Sequence, residues 1–149
     1  MTRIKIEFER GGCFTAQLLC EEAPKTCEAI LDRLPFAYTF HQSVVSGQAM
    51  LTLVPDLTVP RENQRTLGLP PGSLCFLVQN PPMNVPDEIY ISYGPFFVPR
   101  SFRVDAHEPV NVFGRIESGF DSLLTVGRRV LMEGAEKVRF SLPERTRRQ

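Results

Sequence analysis

The chain has no excess of either charge. In its 149 residues, 17 Lys and Arg balance 17 Asp and Glu. A neutral chain does not attract phosphate backbones as a whole, and no aromatics interleave with a basic patch, so nucleic acid is not expected as a partner. The one basic cluster is Arg145, Arg147 and Arg148, after Pro143, and residues 143–149 read as a frayed, solvated tail. Long apolar runs are missing as well. None approaches the ~20 residues a membrane span needs. The opening Thr2-Arg3-Ile4-Lys5-Ile6 lacks the apolar stretch of a signal peptide. No membrane partner and a cytoplasmic location are the expectations.

Paired metal ligands are also absent. Cys13, Cys20, Cys27 and Cys75 contain no Cys-x-x-Cys, and two histidines complete no zinc pattern. In a reducing compartment these cysteines are expected as small buried hydrophobes rather than disulfides. There is no phosphate loop, no Gly-x-Ser-x-Gly elbow, no His-Glu-x-x-His and no paired-carboxylate signature. Neither a metal nor a cofactor is implied.

What is present is period-two alternation. Ile4, Ile6 and Phe8 alternate with Lys5, Glu7 and Glu9, Gly11-Gly12 marks a turn, and Phe14, Ala16 and Leu18 alternate again. Pro24 suits the first turn of a helix, Cys27, Ile30, Leu31 and Leu34 form one apolar stripe, and Pro35 stops it. The stretches 38–45, 49–54, 73–79, 88–93 and 110–116 are rich in aromatic and β-branched residues and read as strands. A short helix is expected after Ser118 and a closing strand over 137–142. Three loops hold most of the prolines: 55–72, 80–87 and 94–109. The chain has neither an internal repeat nor a domain boundary. Residues 1–149 therefore read as one mostly-β domain, a sandwich or barrel of about eight antiparallel strands with two short helices. At this length a domain buries roughly two-thirds of its unfolded surface.

The run Phe14 to Ile30, F-T-A-Q-L-L-C-E-E-A-P-K-T-C-E-A-I, resembles the N-terminal hairpin and first helix of cyclophilins, and Phe40-His41 resembles the start of their Phe-His-Arg segment. The segments 19–36, Ser46-Gly47, 62–72, Tyr93-Gly94 and 111–116 resemble an uncharacterised prokaryotic cyclophilin-like family. The resemblance implies a closed barrel. It departs where chemistry is concerned. The cyclophilin arginine has Gln42 in its place, and Val110-Asn111-Val112-Phe113 stands near the position of the Gly-Ser-Gln-Phe-Phe strand. A neutral amide cannot supply the field of a guanidinium.

The candidate ligand-binding residues are His41, a base or donor active near neutral pH; Ser46, in a turn where a hydroxyl can face a ligand; and Glu62-Asn63, a carboxylate and an amide in the long loop. Tyr93 adds a rim aromatic. Asn111, Phe113 and Arg115 share one strand face by alternation, and Arg115 could replace the missing arginine. Catalytic residues are not assigned. Three functions remain open. The first is binding of a small molecule or peptide in a barrel-mouth cleft without efficient prolyl isomerase activity. The second is an enzyme, either a residual prolyl isomerase or one acting on cyclic amides. The third is a homo-oligomer formed through Pro-rich loops that expose Leu57, Val59, Leu67 and Leu69.

Overall fold

The computed structural model describes residues 1–79, 85–100 and 107–144. The tail arginines, residues 80–84 of the second loop and residues 101–106 of the third lie outside the described residues. In chain order the elements are β1 (Arg3–Phe8), β2 (Cys13–Leu18), α1 (Pro24–Arg33), β3 (Phe36–Gln42) and β4 (Gly47–Leu53). They continue with β5 (Ser73–Leu77), β6 (Glu88–Phe97), β7 (Asn111–Ile116), α2 (Phe120–Glu133) and β8 (Glu136–Ser141). The strands form a closed antiparallel barrel in the order β1-β2-β7-β5-β6-β4-β3-β8, with β8 pairing back onto β1.

An eight-stranded barrel is just wide enough for side chains to fill it. Here Ile4, Ile6, Met50, Leu74, Phe76, Ile89, Ile91, Phe113 and Phe140 do so. The apolar stripes of both helices, Cys27 and Ile30 on α1 and Leu123, Val126 and Val130 on α2, join this inner cluster, which places the helices over the barrel openings. The expected cleft at the barrel mouth is therefore filled. A second cluster lies outside the barrel. There Ala49, Leu51, Cys75, Leu77, Tyr90 and Val112 point away from the axis and are roofed by Leu69, Phe97 and Val110. This double cover explains why β5, Ser-Leu-Cys-Phe-Leu, is buried along its whole length.

Two elements exceed expectation. The second helix has 14 residues rather than a short turn. Strand β6 continues past Tyr93 through Gly94 and Pro95 to Phe97, into the segment read as the third loop. Register slips between Gly47 and Ala49, and the Gln48 side chain makes up the missing bond, its Oε1 accepting from Phe96 N at 3.1 Å.

The long loop is not an exposed assembly surface. Leu57, Val59 and Leu69 are 7, 4 and 6% exposed, whereas Leu67 is 69% exposed. Three of the four apolar residues that suggested self-association are thus consumed inside the domain, Leu57 and Val59 in the inner cluster and Leu69 in the outer. The loop is also stapled by polar bonds. Arg65 and Val110 exchange backbone hydrogen bonds at 2.8 and 2.9 Å. Asp56 accepts from Arg33 and from the Tyr38 hydroxyl.

Candidate functional site

Of the eight candidate residues the structure places three in a structural clasp, two in the core and one, His41, on a surface cleft, with Ser46 and Arg115 apart from these. Asn111 is fully buried and uses its whole amide. Its Oδ1 accepts from Glu62 N at 2.7 Å and Gln64 Nε2 at 2.8 Å, and its Nδ2 donates to Thr26 Oγ1 at 3.0 Å and Pro60 O at 2.9 Å. Asn63 pairs with the β7 backbone, donating to Val112 O and accepting from Val112 N. Glu62 reaches the start of α1, where Ala23 offers no side-chain cap. Its carboxylate accepts from Lys25 N at 3.0 Å and from both Thr26 N and Thr26 Oγ1 at 2.7 Å. An anion there satisfies orphan helix donors and the positive end of the dipole. Burial opposes its charge, but these hydrogen bonds prevail and hold the carboxyl below its ordinary range. Glu62, Asn63 and Asn111 therefore clasp the long loop to α1 and β7.

Tyr93 is not a rim aromatic. Its ring lies against Gly127 of α2, where a β-carbon would overlap it, and its hydroxyl donates to Gln42 Oε1 at 2.7 Å. Gln42 also donates to Ser43 O and Gly47 O. Its amide is occupied in fixing the β3–β4 turn.

Phe113 and Arg115 do not share a face. Leu74 pairs with Gly114 but Cys75 pairs with Val112, so the β5–β7 ladder carries a bulge at Phe113. A bulge interrupts alternation. Phe113 belongs to the inner cluster, whereas Arg115 acts on the Cys75 thiol of the outer cluster. Arg115 is not among the residues that line the cleft with His41, and Glu62 is bound to α1.

Of the two remaining candidates, His41 lines that cleft on the outer barrel face, whereas Ser46 is buried in the β3–β4 turn behind it. The cleft floor is built by cross-strand neighbours. His41 on β3 stands opposite Leu51 on β4, which stands opposite Tyr90 on β6. In the next row Leu53 faces Glu88, which faces Leu77 on β5. Ser43, Val44, Val45, Gln79 and Arg100 complete a cavity of about 200 Å³. The β3–β4 turn that carries Val44 and Val45 is locked. Ser46 N donates to Ser43 Oγ at 3.0 Å, and Gly47 has φ +92° with the Phe96 carbonyl where a side chain would go. A fixed turn thereby holds Val44, 87% exposed, at the rim.

Two floor residues went unmarked in the sequence, Glu88 and Tyr90. Burial pushes the Glu88 carboxyl above its ordinary range, although the Tyr90 hydroxyl and His41 favour its charge. Burial and the adjoining Glu88 push Tyr90 up. The signal that could have found them is Glu88-Ile89-Tyr90-Ile91-Ser92, which puts a carboxyl, a phenol and a hydroxyl on one strand face. It reads as an ordinary solvent-facing side until the outer roof is known. Among the described residues, no group of three or more His, Cys, Asp or Glu is placed to hold a metal. Among them, too, no helix is long and apolar enough to cross a membrane.

A family model described as "Protein of unknown function (DUF3830)" matches residues 6–142. The chain belongs to this family. No curated protein matches it. Among solved structures, McbB in complex with tryptophan is similar at a TM-score of 0.74 and 20% identity, over 98% of this chain. The DUF3830 chain spans 46% of McbB, about half its length. The solution structure of the hypothetical protein AF2241 from Archaeoglobus fulgidus is similar at a TM-score of 0.59 and 21% identity, covering 95% of each chain. At these identities the likeness is one of fold. Neither the family description nor these two structures names cyclophilin.

Proposed function

We propose that this domain binds a small organic molecule in the outer-face cleft, an apolar body resting on Val44, Val45, Leu51, Leu53 and Leu77 with a polar head at Glu88, Tyr90 and His41. The observation that carries the reading is the buried Glu88 carboxyl on the floor of an otherwise apolar hollow. Ligand sites combine apolar walls with a few convergent polar groups and perturbed acids. A cavity near 200 Å³ is smaller than the roughly 300–1,000 Å³ of drug-sized pockets, so the occupant is a single amino acid or a compound of one ring system. The tryptophan held by McbB, of similar fold, suggests the first probe. The cyclophilin resemblance adds no catalysis to this reading, because Gln42 is engaged in the turn and Arg115 stands elsewhere. Self-association is not needed to bury the Pro-rich loop.

The test is an amide NMR titration with tryptophan and other apolar amino acids. Shifts should cluster on Val44, Val45, Leu53 and Glu88, and Leu53→Glu, at a half-exposed position, should abolish them while the fold persists. Shifts scattered over the barrel, or none at millimolar ligand, would sink the proposal.

A further inference from the structure

The head-group chemistry of the ligand follows from the burial and surroundings of Glu88, on the reading that the cleft is a ligand site. Tyr90 stands two residues from Glu88 on β6, both side chains line the cleft, and the Tyr90 hydroxyl favours the charge on the Glu88 carboxyl.

Glu88 is 7% exposed, and no ion pair among the described residues includes it. The charged and titratable groups around it are His41 from β3, Asp87 and Tyr90 from its own strand and its approach, and Arg100 beyond β6. β4 and β5 offer the cleft only Leu51, Leu53 and Leu77, with Gln79 just past β5. The carboxylate has no ion-pair partner among the described residues, and it stands on the floor of a cleft walled mainly by Val44, Val45, Leu51, Leu53 and Leu77, with His41 and Arg100 also lining it. What would complete the carboxylate is a donor that carries positive charge.

We infer that the cleft selects a protonated amine on an apolar body, with the ammonium on Glu88. Desolvation costs a buried carboxylate heavily when unpaired, and a cation in hydrogen-bond contact offsets it. Acidification opposes such binding, because burial raises the Glu88 carboxyl and protonating it removes the partner.

The probes are 2-phenylethylamine, 2-phenylethanol and 3-phenylpropionate, which share one ring and differ in head group, titrated calorimetrically into the full chain at pH 7.5. The amine should bind at least about tenfold more tightly than the alcohol or the acid. Its affinity should fall as pH drops from 7.5 to 5. Glu88→Gln should remove the preference for the amine, so that amine and alcohol bind the variant about equally. If that variant does not fold, the wild-type ranking and its pH dependence decide. Alcohol or acid binding as tightly as the amine overturns the amine assignment and leaves the cleft as a site. Binding of none of the three, with no amide shift at Val44 or Leu53, removes the cleft reading as well.

Discussion

Removing the Glu62 carboxylate separates a structural clasp from a ligand-binding loop. In Glu62→Ala, Lys25 N, Thr26 N and Thr26 Oγ1 lose their common acceptor. A missing N-cap costs roughly 0.5–2 kcal/mol, and loss of an anion at a helix N-terminus adds roughly 0.3–1 kcal/mol. Because Lys25 N is at the surface and water can replace part of the bond, a net loss of about 2 kcal/mol is expected. For a domain of this size that corresponds to a fall in Tm of about 4–8 °C. Glu62→Gln keeps one oxygen for Thr26 and should lose about half as much. The pH dependence has a definite sign. The folded-state carboxyl lies below the ordinary glutamate value of 4.5, so its stabilisation is fully present above 4.5 and is lost as pH falls through the lowered value. Urea denaturation of wild type and both variants, at intervals from pH 7 to pH 3.5, reads this directly. The gap to Glu62→Ala should be widest near neutrality and narrow on acidification. A gap below 0.5 kcal/mol at pH 7, or one that does not change with pH, would refute the capping role and return Glu62 to the pool of ligand-binding candidates.

One further substitution and one labelling experiment probe the packing. Gly127→Ala drives a methyl into the Tyr93 ring, and overpacking of this kind costs about 1–3 kcal/mol; a variant as stable as wild type by thermal melting would contradict the α2–barrel contact. Burial pushes the thiols of Cys27 and Cys75 up to about 12. Alkylation of the native protein at pH 8 should therefore modify the exposed Cys13 and leave Cys27 and Cys75 silent until denaturant is added. Mass mapping that finds Cys75 labelled in the native state would show that the outer roof opens.

The sequence by itself determined the number and order of the strands, the antiparallel mode and the first helix. Each of these rests on local alternation, on Gly11-Gly12 and on Pro24 and Pro35, and local sterics act over a few residues. It also marked Glu62, Asn63 and Asn111 as ligand-binding candidates, and in the fold their polar groups bond to one another's neighbours, because a buried polar group must find partners. Their role was not legible, since their partners Thr26, Pro60 and Val112 come from separate parts of the chain. Tertiary structure alone decided which faces turn inward. The bulge at Phe113 puts it and Arg115 on opposite sides, where strict alternation joins them. The same holds for the candidate site. Glu88 and Tyr90 become notable only when β5, β6, β4 and β3 lie side by side and the locked 43–46 turn brings Val44 to the rim. Burial of a carboxyl is a property of its surroundings, assembled from residues distant in sequence, and no short window of sequence contains them.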